Sequence, residues 1–73
     1  MKKNRKPRDI RAARRREWTV IRPGEHWYKT ASWLGLMIWT DRNAIGKYVC
    51  SFNTCEFAFE LEKDASWFAL KWA

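Results

Sequence analysis

The chain has little of what small proteins use for chemistry or for covalent bracing. Of 73 residues, two are cysteine, one is histidine and three are glycine. Cys50 and Cys55 are too few for a disulfide scaffold. With His26 added they still fall short of the four ligands of a structural zinc site, so both are read as small apolar fillers, with Cys55 on the face of Phe57. Gly24, Gly35 and Gly46 stand apart from one another, which excludes a glycine loop for cradling phosphate. His26 lies beside Glu25, a pair that in principle serves acid–base work on RNA, as in small nucleases with a lone histidine; no second acid, nucleophile or metal set accompanies it, and a turn with an aromatic neighbour explains it as well, so catalysis is the minor reading. The longest apolar run, Trp33 to Trp39, is seven residues, against about 18 for a bilayer span. The basic start leads into more charge rather than into the apolar core of a secretory signal. These shortages point away from an enzyme, a metal, a cofactor, a small-molecule substrate and a membrane, and toward an intracellular, cytoplasmic setting.

Acidic charge is also scarce, but only at one end. The first sixteen residues hold Lys2, Lys3, Arg5, Lys6, Arg8, Arg11, Arg14, Arg15 and Arg16 against Asp9 alone, nine minus one, or +8. From Glu17 onward six basic residues face seven acidic ones, a net of −1. The formal +7 of the whole chain is therefore the property of its arm. Such a division is expected to use the arm for polyanions and the remainder for folding or for a partner. Two divisions follow: a basic arm over 1–16 and a small aromatic-rich domain over 17–73. A domain of that size has little core to spare. Six tryptophans, with Tyr28, Tyr48 and four phenylalanines, supply the apolar mass. At least one tryptophan is expected to remain at the surface.

The spacing of residues predicts the elements. Arg8 to Glu17 contains good helix formers after Pro7, although its like charges oppose a free-standing helix and a polyanion would favour it. On such a helix Arg8, Arg11 and Arg15 form one stripe. Trp18 to Arg22 reads as a strand, and Pro23-Gly24 suits a type II turn. His26 to Ala31 reads either as a strand or as an irregular crossing. Leu34 to Thr40, continuously apolar, reads as a central strand covered on both faces, and Gly46 to Phe52 as a further strand before a turn at Asn53-Thr54. Cys55 to Glu62 alternates, with Cys55, Phe57, Phe59 and Leu61 on an apolar face and Glu56, Ala58, Glu60 and Glu62 on an acidic one facing solvent. Asp64 then caps a final helix bearing Trp67, Phe68, Leu70 and Trp72. The expected fold is α+β: a small antiparallel sheet of three to five strands with a C-terminal helix packed on it, preceded by the basic arm.

Three stretches carry likenesses. Arg11-Ala-Ala-Arg-Arg-Arg-Glu-Trp18 resembles the arginine-rich motifs of phage antiterminators and viral RNA-binding proteins, which implies a helix bound in a nucleic-acid groove. The order of helix, strands and final helix is similar to the double-stranded-RNA-binding domain. That family opens its last helix with lysines, whereas this one opens Glu62-Lys63-Asp64-Ala65, so its binding mode is not carried over. Phe57-Ala-Phe-Glu-Leu61, followed by Asp64-Ala65-x-x-Phe68-Ala69-Leu70-Lys71-Trp72, resembles the ending of small proteins of tailed phages, which implies nucleic-acid binders, inhibitors of host proteins or virion accessories.

The expected activity is non-enzymatic binding of RNA or DNA. Lys2, Lys3, Arg5, Lys6, Arg8, Arg11, Arg14, Arg15 and Arg16 are the phosphate-contacting candidates, and Trp18, Trp27 and Tyr28 the partner-contacting ones. The alternative is a protein-interaction module whose arm docks on an acidic protein surface. A third possibility is internal: the arm folds back onto the row of Glu56, Glu60 and Glu62.

Overall fold

The computed structural model describes residues 6–24 and 27–73. Seven elements follow in chain order: α1 (Ile10–Arg15), β1 (Thr19–Ile21), α2 (Trp27–Thr30), α3 (Trp33–Asn43), β2 (Tyr48–Ser51), β3 (Glu56–Phe59) and α4 (Glu62–Trp72). The strands form one antiparallel sheet in the order β1-β3-β2, so the fold is the expected small α+β arrangement with a C-terminal helix. β3 pairs with both neighbours, Val20 and Val49 meeting Ala58 from either side. Among the described residues, no helix is long and apolar enough to cross a membrane.

The two-residue period of the strands sorts the core into two halves. On one face Phe57 and Phe59 pack with Leu36 of α3 and with Ala65 and Phe68 of α4, flanked by Ile21, Tyr48 and Cys50. The ring of Phe68 lies 4.6 Å from that of Phe57, and Trp33 lies 5.0 Å from Phe57. On the other face Val49 and Ala58 pack with Ile10 and Ala13 of α1, with Trp18 and Val20 at the margin. The sheet is thus covered on both sides, and all four residues of β3 are buried.

That second cover corrects the expectation for β3. Glu56 and Ala58 do not face solvent; they lie under α1. The chain could form this helix without a polyanion because Ile10 and Ala13, three residues apart, turn one apolar stripe toward the sheet. Asp9 caps the start, its Oδ1 accepting from the Ala12 N–H at 2.9 Å. At the other end Trp18 N–H donates to Ala13 O and Glu17 N–H to Arg14 O, the paired bonds of a Schellman closure. Trp18 and Ala13 then meet in the same apolar cluster. Helix α1 begins at Ile10, so Arg8 precedes it and the stripe reduces to Arg11 and Arg15.

The larger correction concerns 34–40, which is helix rather than central strand. Ser32 Oγ accepts from Gly35 N–H at 3.0 Å and starts α3. Trp33, Leu36, Met37 and Thr40, spaced i, i+3, i+4, i+7, are the residues turned inward, and Thr40 satisfies its buried hydroxyl by donating to Leu36 O at 2.8 Å. A short run of apolar residues suits either state by periodicity alone. The cost of the helical choice is that Leu34 and Ile38 are left outside. Residues 27–30 likewise form a helical turn, not a strand.

Three local expectations also change. No glycine among the described residues has positive φ, so Pro23-Gly24 is not a type II turn. Gly24 instead admits the end of α4: its N–H donates to Trp72 O at 2.6 Å, and a Cβ there would lie 3.0 Å from that oxygen. Asp64 is not the cap of α4. The cap position is Leu61 without a side-chain bond, while Asp64, buried in the first turn, accepts from Ile45 N–H at 3.0 Å and Gly46 N–H at 2.8 Å. Cys55 lies outside β3, in a left-handed turn at φ 54. Both cysteines are free thiols, and burial pushes the Cys50 thiol up, opposed by Lys6 and by Trp33.

Glu17 occupies the left-handed position of the α1 closure at φ 62, where glycine carries no Cβ penalty and a residue with a side chain costs about 1 kcal/mol. Glu17→Gly is expected to raise unfolding free energy by about 1 kcal/mol in moderate salt, measured by urea denaturation. A lower stability would contradict this geometry.

Candidate nucleic-acid interface

The arginines of the arm divide into two groups according to which side of α1 they occupy. Arg14 follows the buried stripe of Ile10 and Ala13 and turns to the sheet. Its Nη2 donates to Glu56 Oε2 at 2.5 Å, and Arg22 Nε, from just beyond β1, reaches the same oxygen at 3.6 Å. The carboxylate is almost wholly enclosed, its side chain 5% exposed, whereas that of Arg14 is 57% exposed. The energetic weight therefore falls on the anion. Glu56 needs its cations in place of lost water, while Arg14 could be rehydrated with little motion. Of the three glutamates expected on one outward row, only Glu56 lies under the arm. Glu60 instead accepts from Lys47 N–H at 3.3 Å, and Glu62 opens α4.

Arg11 and Arg15 are exposed, as are Arg8 before the cap and Arg16 at the end of α1. They project from a helix whose position is fixed by packing, capping and the Glu56 pair. Lys6 lies farther back, its Nζ 5.0 Å from the centroid of the Tyr48 ring. Tyr48 belongs to the opposite half of the core from Ile10, so the Lys6 side chain reaches the side of the sheet that α1 does not cover. Tyr48 donates its hydroxyl to Met37 O at 3.3 Å, and burial, with Asp41 and Cys50 adding to it, pushes its phenol up. Lys2, Lys3, Arg5, His26 and Glu25 lie outside the described residues.

A polar recess of about 400 Å³ opens between the start of α1 and the β2–β3 turn, lined by Asp9, Arg11, Arg14, Ser51, Thr54 and Glu56. With two carboxylates against two guanidiniums the recess carries no net charge, and Arg11 borders both the recess and the exposed side of α1.

The aromatic candidates are distributed differently. Trp18 packs against the Ile10–Ala13 cluster. Trp27 packs on the Phe57 cluster with its ring 5.5 Å from Trp33. Tyr28 is exposed. Sequence reading did not single out Leu34, Ile38 and Leu70, which are exposed together with Trp67. The signal was present in their spacing, with 34 and 38 on one helical face and 67 and 70 on another, but only if α3 is read as a helix.

The two groups of arginines are separable by stability. Arg14→Ala strands a buried carboxylate with one distant cation and is expected to cost about 2 kcal/mol. Arg11→Ala and Arg15→Ala are expected to stay within about 0.5 kcal/mol of the parent, as ordinary surface changes do. Equal effects for the three, measured by urea denaturation, would contradict the division. Comparison with known proteins finds no matching family model, no matching curated protein and no matching solved structure, so the functional reading rests on the chain's own geometry.

Proposed function

We propose that the protein is a non-enzymatic nucleic-acid-associated protein, in which the outer side of α1 and the preceding basic residues contact phosphates. The observation that carries this reading is the exposure of Arg8, Arg11, Arg15 and Arg16 around a short helix already locked onto the sheet. A cation on a fixed mount loses less freedom on binding than one on an unfolded tail. Guanidinium groups match phosphate oxygens as two-pronged donors, and each phosphate neutralised releases counterions. Lys2, Lys3, Arg5 and Lys6 extend the same charge along the chain. RNA and DNA both present the required backbone.

A second reading keeps the arm and changes the polyanion. Arg14 of α1 already binds a protein carboxylate, Glu56, which favours an acidic protein surface as the alternative target. A pull-down with and without nuclease separates the two: a protein complex that survives nuclease supports the second reading, and loss of every association supports the first.

The salt dependence of affinity for duplex DNA tests the first reading directly. Log affinity is expected to fall with log salt at a slope of roughly −4 to −6, corresponding to five or six phosphates at about −0.9 each. Replacing Arg11 and Arg15 together by Gln is expected to flatten the slope by about 2 while leaving the fold intact. A response independent of salt would end the proposal. Deleting residues 1–16 is a poorer test, because it also removes Ile10 and Ala13 from the core.

A further inference from the structure

The other side of the molecule carries a second surface that α1 does not cover. Leu34 is 63% exposed, Ile38 46%, Trp67 56% and Leu70 83%. The first two lie one turn apart on α3 and the last two three residues apart on α4, so each helix turns an apolar stripe outward. The stripes are joined. One depression runs from Leu34 to Ile38 and Arg42, the next from Ile38 and Arg42 across Trp39 and Trp72 to Lys71, and a third from Trp39 and Lys71 to Trp67 and Leu70. The rings of Trp39 and Trp72, 6.1 Å apart and perpendicular, join the two helices along this face.

We propose that this α3–α4 face is the interface of a homodimer, its occupant a second copy of the same chain. The area argues for it. The four side chains alone leave on the order of 500 Å² open, near the upper limit of what lone monomers expose as one patch. The exposed parts of Trp39 and Trp72 between the stripes, with Arg42 and Lys71 beside them, bring the face toward the roughly 800 Å² per partner that a stable complex buries. The charges argue for it too. A two-fold contact must be complementary to itself, and this face has an uncharged centre at Ile38 and Trp39 with Asp41 and Arg42, of opposite sign, at adjacent positions beyond it. Asp41 and Arg42 line the same depression, so a two-fold contact across it would offer each carboxylate a guanidinium of the other copy. Position argues last: α3 and α4 cover one side of the sheet and α1 the other, so the exposed Arg11 and Arg15 of the two copies lie away from the contact.

The dimer is independent of nucleic acid, and its test is run without it. Purified, nuclease-treated full-length protein is examined by sedimentation equilibrium from roughly 1 to 100 µM. The expected result is a mass rising with concentration from the 8.8 kDa of one chain toward twice that value, undiminished by added salt. Leu70→Glu and Ile38→Glu are each expected to weaken association by roughly tenfold or more with far-ultraviolet circular dichroism unchanged. Phe52→Ser, an exposed apolar residue outside this face, is expected to leave association as it was. A monomer at every concentration overturns the proposal. So does association that Leu70→Glu leaves intact, that Phe52→Ser abolishes, or that salt dissolves. None of these outcomes bears on the salt dependence of nucleic-acid affinity.

Discussion

A carboxylate enclosed beneath a helix of arginines is the constraint around which this small fold is organised. Glu56 sits on the central strand, under α1, with Arg14 and Arg22 on the same oxygen. Its burial is tolerable only while those cations stay, which ties the beginning of the chain to the middle of the sheet across 42 residues of sequence. Apolar contact from Ile10 and Ala13 supplies the area, and the ion pair supplies the orientation. Ile10 and Ala13 alone would permit the helix to slide or rotate on Val49 and Ala58. The Glu56 pair makes the side bearing Arg14 the inner one.

From this follows a division of labour inside a run of otherwise similar residues. Arg14 serves the fold, while Arg11 and Arg15, about 60° and 100° from it around the helix, are exposed to solvent. The arm of the sequence is therefore two things in space: a capped, closed and packed helix, and the charged residues before it. The closure through Glu17 in a left-handed conformation is the compromise at the exit, since the chain must reverse from α1 into β1 within three residues, 16 to 18. The opposite half of the core holds nearly all of the large aromatic rings, and the same abundance overflows onto the outer side of α3 and α4.

How much of this was legible in the sequence depends on whether one partner sufficed to explain a residue. β3 was legible because its alternation is local, and α4 because helix formers and aromatic spacing agree after Leu61. The identity of α3 was not, since Trp33 to Trp39 satisfies a strand covered on both sides as well as a helix covered on one. Only the competition for the centre of the sheet, won by Phe57-Ala58-Phe59, excludes it from that place. Asp64 reads as a helix-start residue and is one by position, yet its oxygens serve the 45–46 loop, a tertiary bond that no local pattern announces. The alternation puts Glu56 on the correct side of its strand but facing solvent, because a sequence shows the row of acids and not the helix that comes to lie on one of them. The outward arginines were legible from charge alone; which of them the fold would consume was not.

The central claim is that α1 is folded onto the sheet in the free protein, with no polyanion present. Amide hydrogen exchange in nuclease-treated protein at low salt tests it most directly. The N–H groups of Ala13, Arg16, Glu17 and Trp18, all bonded in the α1 caps and closure, should exchange slowly and together with those of β3, since one buried pair joins the two elements. Exchange of these four at the rate of an unstructured chain, while β3 remains protected, would contradict the account.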